Sequence, residues 1–432
     1  MIPCLVLDQS CISLAPLSNT PRGIDRVEMA YTRHFLNHWP GECVTVLPMP
    51  WGVRFYERDR ALKWLRIIED MWRETLEPSK DPAYSRAKRF LSDAEFVDDS
   101  KWSKVTPPNA TQIAVKYWKA VADVGFTFGR SVSRYLPDKA VYLNVGQLEF
   151  FRPAFRWLQR RRDVVGVCMI HDVTPIELPE HHIPEGVRMH EKIVRNVAEF
   201  AKALIVPSQT ARASILDEMS KYGKGNLPTH VELLPVPSAF LTPAEPDPEL
   251  PHQSYFIVCG VIDAHKNHLT LLKAWEALVA RHGAKAPLLV IAGSPGIMSG
   301  PAMKYLAECQ SIQKHVLVSS GLSTPALRLL VRSAKVLLMP SLGEGFGLPI
   351  VEALAQGTPV IASDIPAHRE AGAGGDVTYV GATDVAGWIS AIEAFSKGQH
   401  LLPGTGSYVP KTWNDYFKGI EGFLAELTSR PA

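Results

Sequence analysis

The chain lacks most of what marks a secreted, membrane-spanning or nucleic-acid-binding protein. Its cysteines are few and scattered: Cys4, Cys11, Cys43, Cys168, Cys259 and Cys309, with no Cys-x-x-Cys pair. Without a framework of spaced pairs they read as reduced thiols filling a core. No apolar run approaches the ~20 residues that a membrane-crossing helix needs. The stretch Met1–Asp8 has neither the basic region nor the long apolar segment of a secretory signal. Charge of one sign is also lacking, because 46 Lys+Arg against 44 Asp+Glu leave a net +2. With no basic tail, nothing points to nucleic acid. There is no Asp-x-Asp pair, no His-Glu-x-x-His run and no cysteine cluster to hold a metal. Gly-x-Ser-x-Gly and the Gly-Lys-Ser/Thr phosphate loop are missing too. These absences predict a cytosolic protein that works without a metal.

What is present is apolar content, 46% of 432 residues, enough for two sizeable cores. Leu5–Leu7 reads as a first strand, 24–37 as a helix with Ile24, Val27, Tyr31 and Phe35 near helical spacing, and Val44–Leu47 as a second strand. Residues 50–112, rich in charge and tryptophan, read as a mainly helical insertion. Alternation resumes with strands 140–144 and 164–170, helix 188–202, strand 203–206 and helix 209–219. Pro235, Pro237, Pro243, Pro246, Pro248 and Pro251 then make a stiff connector, which places a domain boundary between 1–240 and 252–411. The second part alternates strands at 255–259, 288–291, 316–319, 336–339, 359–362 and 377–380 with helices, as a parallel sheet covered on both faces does. Trp413, Tyr416, Phe417, Ile420, Phe423, Leu424 and Leu427 share one helical stripe, so segment 412–432 is expected to pack back on the first domain. The fold class expected is α/β, with two doubly wound parallel-sheet domains facing across a cleft.

One stretch concentrates ligand-binding chemistry. Glu344-Gly345-Phe346-Gly347-Leu348-Pro349 follows an apolar strand and opens a short helix that carries Glu352 and stops at Gly357. Gly345 and Gly347 let backbone approach a ligand, while the free amides at the helix start suit a diphosphate. The carboxylates of Glu344 and Glu352 remain to bind hydroxyls, which suits a sugar nucleotide. Lys266, just after another strand, can reach a phosphate as a compact charge. His171 ends strand 164–170, where a doubly wound fold would aim it into the crevice. Ser18 to Gly23 form the turn after the first strand, either a plain helix cap or a ligand loop. The spacing of Gly343, Gly345 and Gly347 is wrong for a dinucleotide fingerprint, and no acidic partner stands about 20 residues on. Phe150, Phe151, Arg152, Phe155, Arg156, Trp157, Leu158, Arg160, Arg161 and Arg162 form a basic aromatic helix. Such a helix either lies on an anionic bilayer surface or packs with a solvated arginine face.

Glu344 through Glu352, running on to Ser363, resembles the Glu-x7-Glu signature of retaining GT-B glycosyltransferases of the family 4 type. Gly23, His171-Asp172, Ala203 to Ser208, His265-Lys266-Asn267 and the Trp413 helix extend the likeness along nearly the whole chain outside 50–112. The resemblance implies two Rossmann-like domains with a nucleoside-diphosphate sugar in the cleft and no cofactor or metal. It implies Glu344 on the donor sugar hydroxyls, Glu352 on the ribose, and Lys266 with the amides of Gly23, Gly347 and Leu348 on the diphosphate. It also implies His171 on the sugar, with the His171 carbonyl near the anomeric carbon. Catalysis would then fall to Glu344, His171 and Lys266. Donor binding would fall to Gly23, His265, Lys266, Gly345, Phe346, Gly347, Leu348 and Glu352.

Where many members carry Arg-Lys, this chain has His265-Lys266. A protonated His265 would restore the second charge, and activity would then fall as pH rises through its pKa. The expected reaction is transfer of a hexose, from GDP-mannose ahead of UDP-glucose, to a lipid-linked or oligosaccharide acceptor in polysaccharide synthesis. The protein would then be cytoplasmic, or peripheral on the inner membrane face. A synthase or phosphorylase with a small soluble acceptor, and a non-catalytic sugar-nucleotide-binding protein, are the alternatives.

Overall fold

The computed structural model describes residues 3–14, 21, 23–49, 52–72, 76–92, 115, 118–119, 122, 130–132, 136–147, 157–250, 255–398 and 408–429. Its first sheet contains β1 (Leu5–Asp8), β2 (Cys43–Met49), β3 (Gly52–Glu57), β4 (Arg130–Ser131), β5 (Val141–Asn144), β6 (Val165–Met169), β7 (Ala203–Val206) and β8 (Thr229–Val231). They lie in the order β4-β3-β2-β1-β5-β6-β7-β8. From β2 to β8 every pairing is parallel, and β3 and β4 add an antiparallel edge. The second sheet is wholly parallel. It holds β9 (Tyr255–Cys259), β10 (Leu288–Ala292), β11 (Val316–Ser319), β12 (Val336–Met339), β13 (Val360–Ser363) and β14 (Val377–Val380), in the order β11-β10-β9-β12-β13-β14.

Strand residues alternate between two apolar layers, as the two-residue period of a strand requires. Leu5 and Leu7 face one core cluster, and Cys4 and Val6 another. Tyr255, Ile257 and Cys259 join the first of these, while Phe256 and Val258 face a third. Both faces of each sheet are therefore covered, and this explains why the central strands, such as β1, β9 and β12, read as apolar runs.

The first part of the insertion is sheet as well as helix. β3 turns back on β2, and helix Arg58–Met71 buries Ala61, Trp64, Leu65 and Ile68 in the shared core. Helix Pro82–Ser92 reaches the second sheet. There Asp81 Oδ2 accepts from the Ser323 amide (2.7 Å) and Tyr84 donates to Asp247 (2.7 Å). Residues 93–114 lie outside the described part. Helix Trp413–Ser429 lies against helix Gly23–His38, with the Tyr31 and Tyr416 hydroxyls 2.6 Å apart and Phe417 stacked on His34 at 3.8 Å. Its stripe of Tyr416, Phe417, Ile420 and Leu424 is buried there.

Of the basic aromatic helix at 150–162, residues 150–156 lie outside the described part. Trp157 and Leu158 are buried, and Arg161 is bound to Asp163 and to the carbonyls of Leu136 and Pro137. Among the described residues no helix is long and apolar enough to cross a membrane.

Candidate active site

In open parallel sheets ligands bind beyond the carboxyl ends of the strands, where the strand order reverses. The second sheet reverses between β9 and β12, and the first between β1 and β5. Lys266 lies in the turn after β9 and Glu344 in the loop after β12. Gly23 opens helix Gly23–His38, which follows β1 and the short helix Ser10–Leu14, and His171 follows β6. The residues singled out in the sequence thus gather at facing sheet ends.

The Lys266 turn is fixed by its neighbour. Asn267 sits in the left-handed region (φ 57°), and its Nδ2 donates to the carbonyls of Pro340 (3.0 Å) and Ala382 (2.8 Å). The Leu342 amide donates to the His265 carbonyl (2.8 Å), which sews the two loops together. Lys266 Nζ then meets Glu344 Oε1 at 2.5 Å, and Ser341 Oγ donates to the same oxygen at 2.8 Å. Burial alone would raise the Glu344 carboxyl. Lys266 and His368, with the two hydrogen bonds, outweigh it and hold the group below its ordinary value. Glu344 is a fixed anion with its charge already directed.

Two glycines are required here by geometry. Gly347 has φ +106°, which side-chain-bearing residues rarely adopt, and it sets the start of helix Leu348–Ala355 with Pro349 in the first turn. A Cβ on Gly345 would lie 2.1 Å from the His171 carbonyl oxygen, so only glycine lets this loop touch the opposite lobe. Ser208 Oγ donates to the Gly345 carbonyl (2.7 Å) while accepting from the Ala211 amide (2.9 Å) at its own helix start. Glu370 accepts the Gln209 (2.8 Å) and Thr210 (2.7 Å) amides across the same gap.

Glu352 is 6% exposed. Its Oε1 accepts from Arg26 Nη1 at 3.2 Å, and Arg26 Nη2 donates to Thr324 at 3.3 Å. Burial raises Glu352 to about 7, with Arg26 pulling the other way. A Cβ on Gly23 would come within 3.3 Å of Leu348 Cδ1, so the helix starts of the two lobes converge beside this pair.

Three expectations change in detail. His171 is buried, and its Nε2 lies 2.8 Å from the Val145 carbonyl, so Nε2 carries the proton and the neutral ring has only Nδ1 left to accept from a ligand. Burial lowers its pKa, which favours that neutral form. His265 does not supply a second positive charge. Burial, then Lys266, push it down to about 4, and its ring stacks on His182 at 4.7 Å. Phe346 is 5% exposed and belongs to the apolar core, so its side chain packs rather than faces the gap.

Arg26, Ser341, His368 and Glu370 carry no functional reading in the sequence, where Ser208 stands only as the end of the Ala203 to Ser208 match. Arg26 had a signal, since it lies one helical turn beyond Gly23. The others become visible only once the two sheets face each other. Among the described residues no three His, Cys, Asp or Glu side chains gather as metal ligands do.

Residues 245–401 match the family described as Glycosyl transferases group 1. The O-antigen chain mannosyltransferase B of Escherichia coli is 26% identical over 209 residues, 47% of this chain and 54% of that protein. The O-antigen chain mannosyltransferase RfbU of Salmonella typhimurium is 29% identical over 175 residues, 40% of this chain and 48% of its own length. The chain thus spans about half the length of these curated relatives. Sucrose-phosphate synthase from Thermosynechococcus elongatus superposes with TM-score 0.60 at 15% identity, over 98% of this chain and 99% of that one, a likeness of fold alone. Two facing parallel-sheet lobes of the GT-B fold, the second of them carrying the match, make residues 245–401 a glycosyltransferase group 1 domain.

Proposed function

We propose that the protein is a retaining glycosyltransferase of the family 4 type. It moves a hexose from a nucleoside-diphosphate sugar, GDP-mannose ahead of UDP-glucose, to a lipid-linked or oligosaccharide acceptor in bacterial-type polysaccharide synthesis. The observation that carries the reading is the fixed Lys266–Glu344 pair beside the helix start at Gly347-Leu348, at the switch point of the second sheet. Departure of a nucleoside diphosphate builds negative charge on phosphate. Lys266 and the free amides of Gly347 and Leu348 meet that charge without a metal. Glu344, ionised and braced by Ser341, accepts from sugar hydroxyls, and neutral His171 accepts one more through Nδ1. Glu352 takes the ribose hydroxyls. Attack comes from the face that the diphosphate leaves, with no covalent nucleophile. The mannosyltransferase relatives favour a mannosyl donor, and their O-antigen names favour a glycan acceptor.

The test is transfer from a panel of sugar nucleotides to a lipid-linked glycan, with the anomeric configuration of the product read by NMR. The reading predicts one preferred donor, retained configuration and loss of transfer in Glu344→Ala. Undiminished turnover in that variant, or an inverted product, would refute it.

A further inference from the structure

Arg26 is a cation of one lobe bonded to a buried acid of the other. It stands in the first turn of helix Gly23–His38, beyond β1, and its Nη1 crosses the gap to Glu352, which lies in helix Leu348–Ala355 beyond β12. Nη2 spans to Thr324, at the start of helix Thr324–Ser333, so two bonds aim the guanidinium. The pair is well shielded, with side-chain exposures of 19% and 7%. Cys259, at the end of β9, also faces it, and burial keeps that thiol protonated. Glu352 has no other charged partner among the described residues.

A carboxyl accepts both hydroxyls of a ribose well only when ionised, because protonation turns one oxygen into a donor. A buried acid does not stay ionised unaided. We propose that Arg26 is a positioning residue for the nucleotide: it keeps Glu352 of the opposite lobe charged and aimed for the ribose, so that the donor is gripped only when the two lobes meet. This rests on the glycosyltransferase reading and adds a coupling to it. Whatever separates the lobes takes the guanidinium away from Glu352, leaves that carboxylate unaimed and loosens the nucleotide. Closure and donor binding then strengthen each other by the same factor. With one lone pair of Oε1 taken by Arg26, Oε2 and the rest of Oε1 remain for the ribose hydroxyls.

The experiment is calorimetric titration of GDP-mannose and UDP-glucose into the full chain, as wild type, Arg26→Gln and Arg26→Lys, across pH. These diphosphate diesters bind no proton near neutral pH. His171, His182, His265, His368, Lys266 and Glu344 also face the gap, but they are common to all three proteins and cancel in the variant-to-wild-type ratio. Glu352 has a raised pKa, so wild-type affinity climbs as pH rises through about 7. Arg26 pulls that value down, so Arg26→Gln moves the midpoint higher. At about pH 6 the ratio falls about tenfold for each unit of that displacement. At about pH 9 the two proteins converge as the variant's acid ionises too. Arg26→Lys holds its midpoint nearer to wild type. A loss in Arg26→Gln of equal size at every pH, or no loss, overturns the proposal, and matched unfolding curves check that the variants are folded. Failure of the wild type to bind any sugar nucleotide would instead sink the glycosyltransferase reading itself.

Discussion

The two lobes carry the same device, a parallel sheet whose strand order reverses, but they furnish it differently. In the second lobe the parts come from adjacent loops. Asn267 and the His265 carbonyl bind the β9 turn to the β12 loop, and Lys266, Ser341 and Glu344 are fixed before any ligand arrives. In the first lobe the parts are spread over helix Gly23–His38, the turn after β5 and the end of β6. They meet the second lobe through backbone: the His171 carbonyl at Gly345, and Ser208 Oγ on the Gly345 carbonyl. One lobe is preorganised for charge, and the other supplies a surface shaped to fit it. A charged leaving group needs fixed dipoles and cations, whereas an acceptor site can differ between proteins while the fold stays the same.

Removing charge from the preorganised lobe should have the largest effect. Lys266→Ala is expected to cut transfer by roughly 10²–10³-fold, the cost of losing one aimed group at a developing anion. Steady-state kinetics with saturating acceptor reads this, and a loss confined to acceptor KM would count against it. A cut in the other lobe should act on stability instead. Ile420 is fully buried in the closing helix, so Ile420→Ala should cost about 2–5 kcal/mol in denaturant unfolding and leave the donor KM of the folded protein alone. A changed donor KM with unchanged stability would break the comparison.

Gly345→Ala tests the seam between them. Its Cβ would fall on the His171 carbonyl, so the loop must shift, at a cost of about 1–3 kcal/mol, and transfer should fall with it. Normal turnover there would mean the lobes work without touching. The smallest effect is expected at His265. Because it titrates at about 4, it is uncharged through the neutral range. His265→Gln should therefore leave the pH–rate profile above about pH 6 where it is. A profile whose limb at neutral pH disappears would restore the cationic role.

Much of this was legible in the sequence, and the reason is local. Apart from the half-buried edge strand β14, the strands of the second sheet are buried parallel strands, hence mainly apolar runs, and the loops after β9 and β12 carry their chemistry within a few residues. Gly345 and Gly347 announce themselves because no other residue fits. What stayed hidden depends on distance along the chain. Arg26 is an ordinary surface-type residue until Glu352, far away in sequence, is brought against it. β3 and the short β8 carry too little apolar pattern to be read alone. The charge of His265 was not legible either, because burial, which sequence does not give, pushes its imidazole down.

In the proposed function Lys266 holds a nucleoside diphosphate by its charge at the switch point. Calorimetric titration of GDP and UDP against guanosine and uridine, on wild type and Lys266→Ala, tests it most directly. The wild type should bind the diphosphates much more tightly than the nucleosides, and Lys266→Ala should lose most of that difference while binding the nucleosides as before. Equal affinity of the wild type for diphosphate and nucleoside would contradict it.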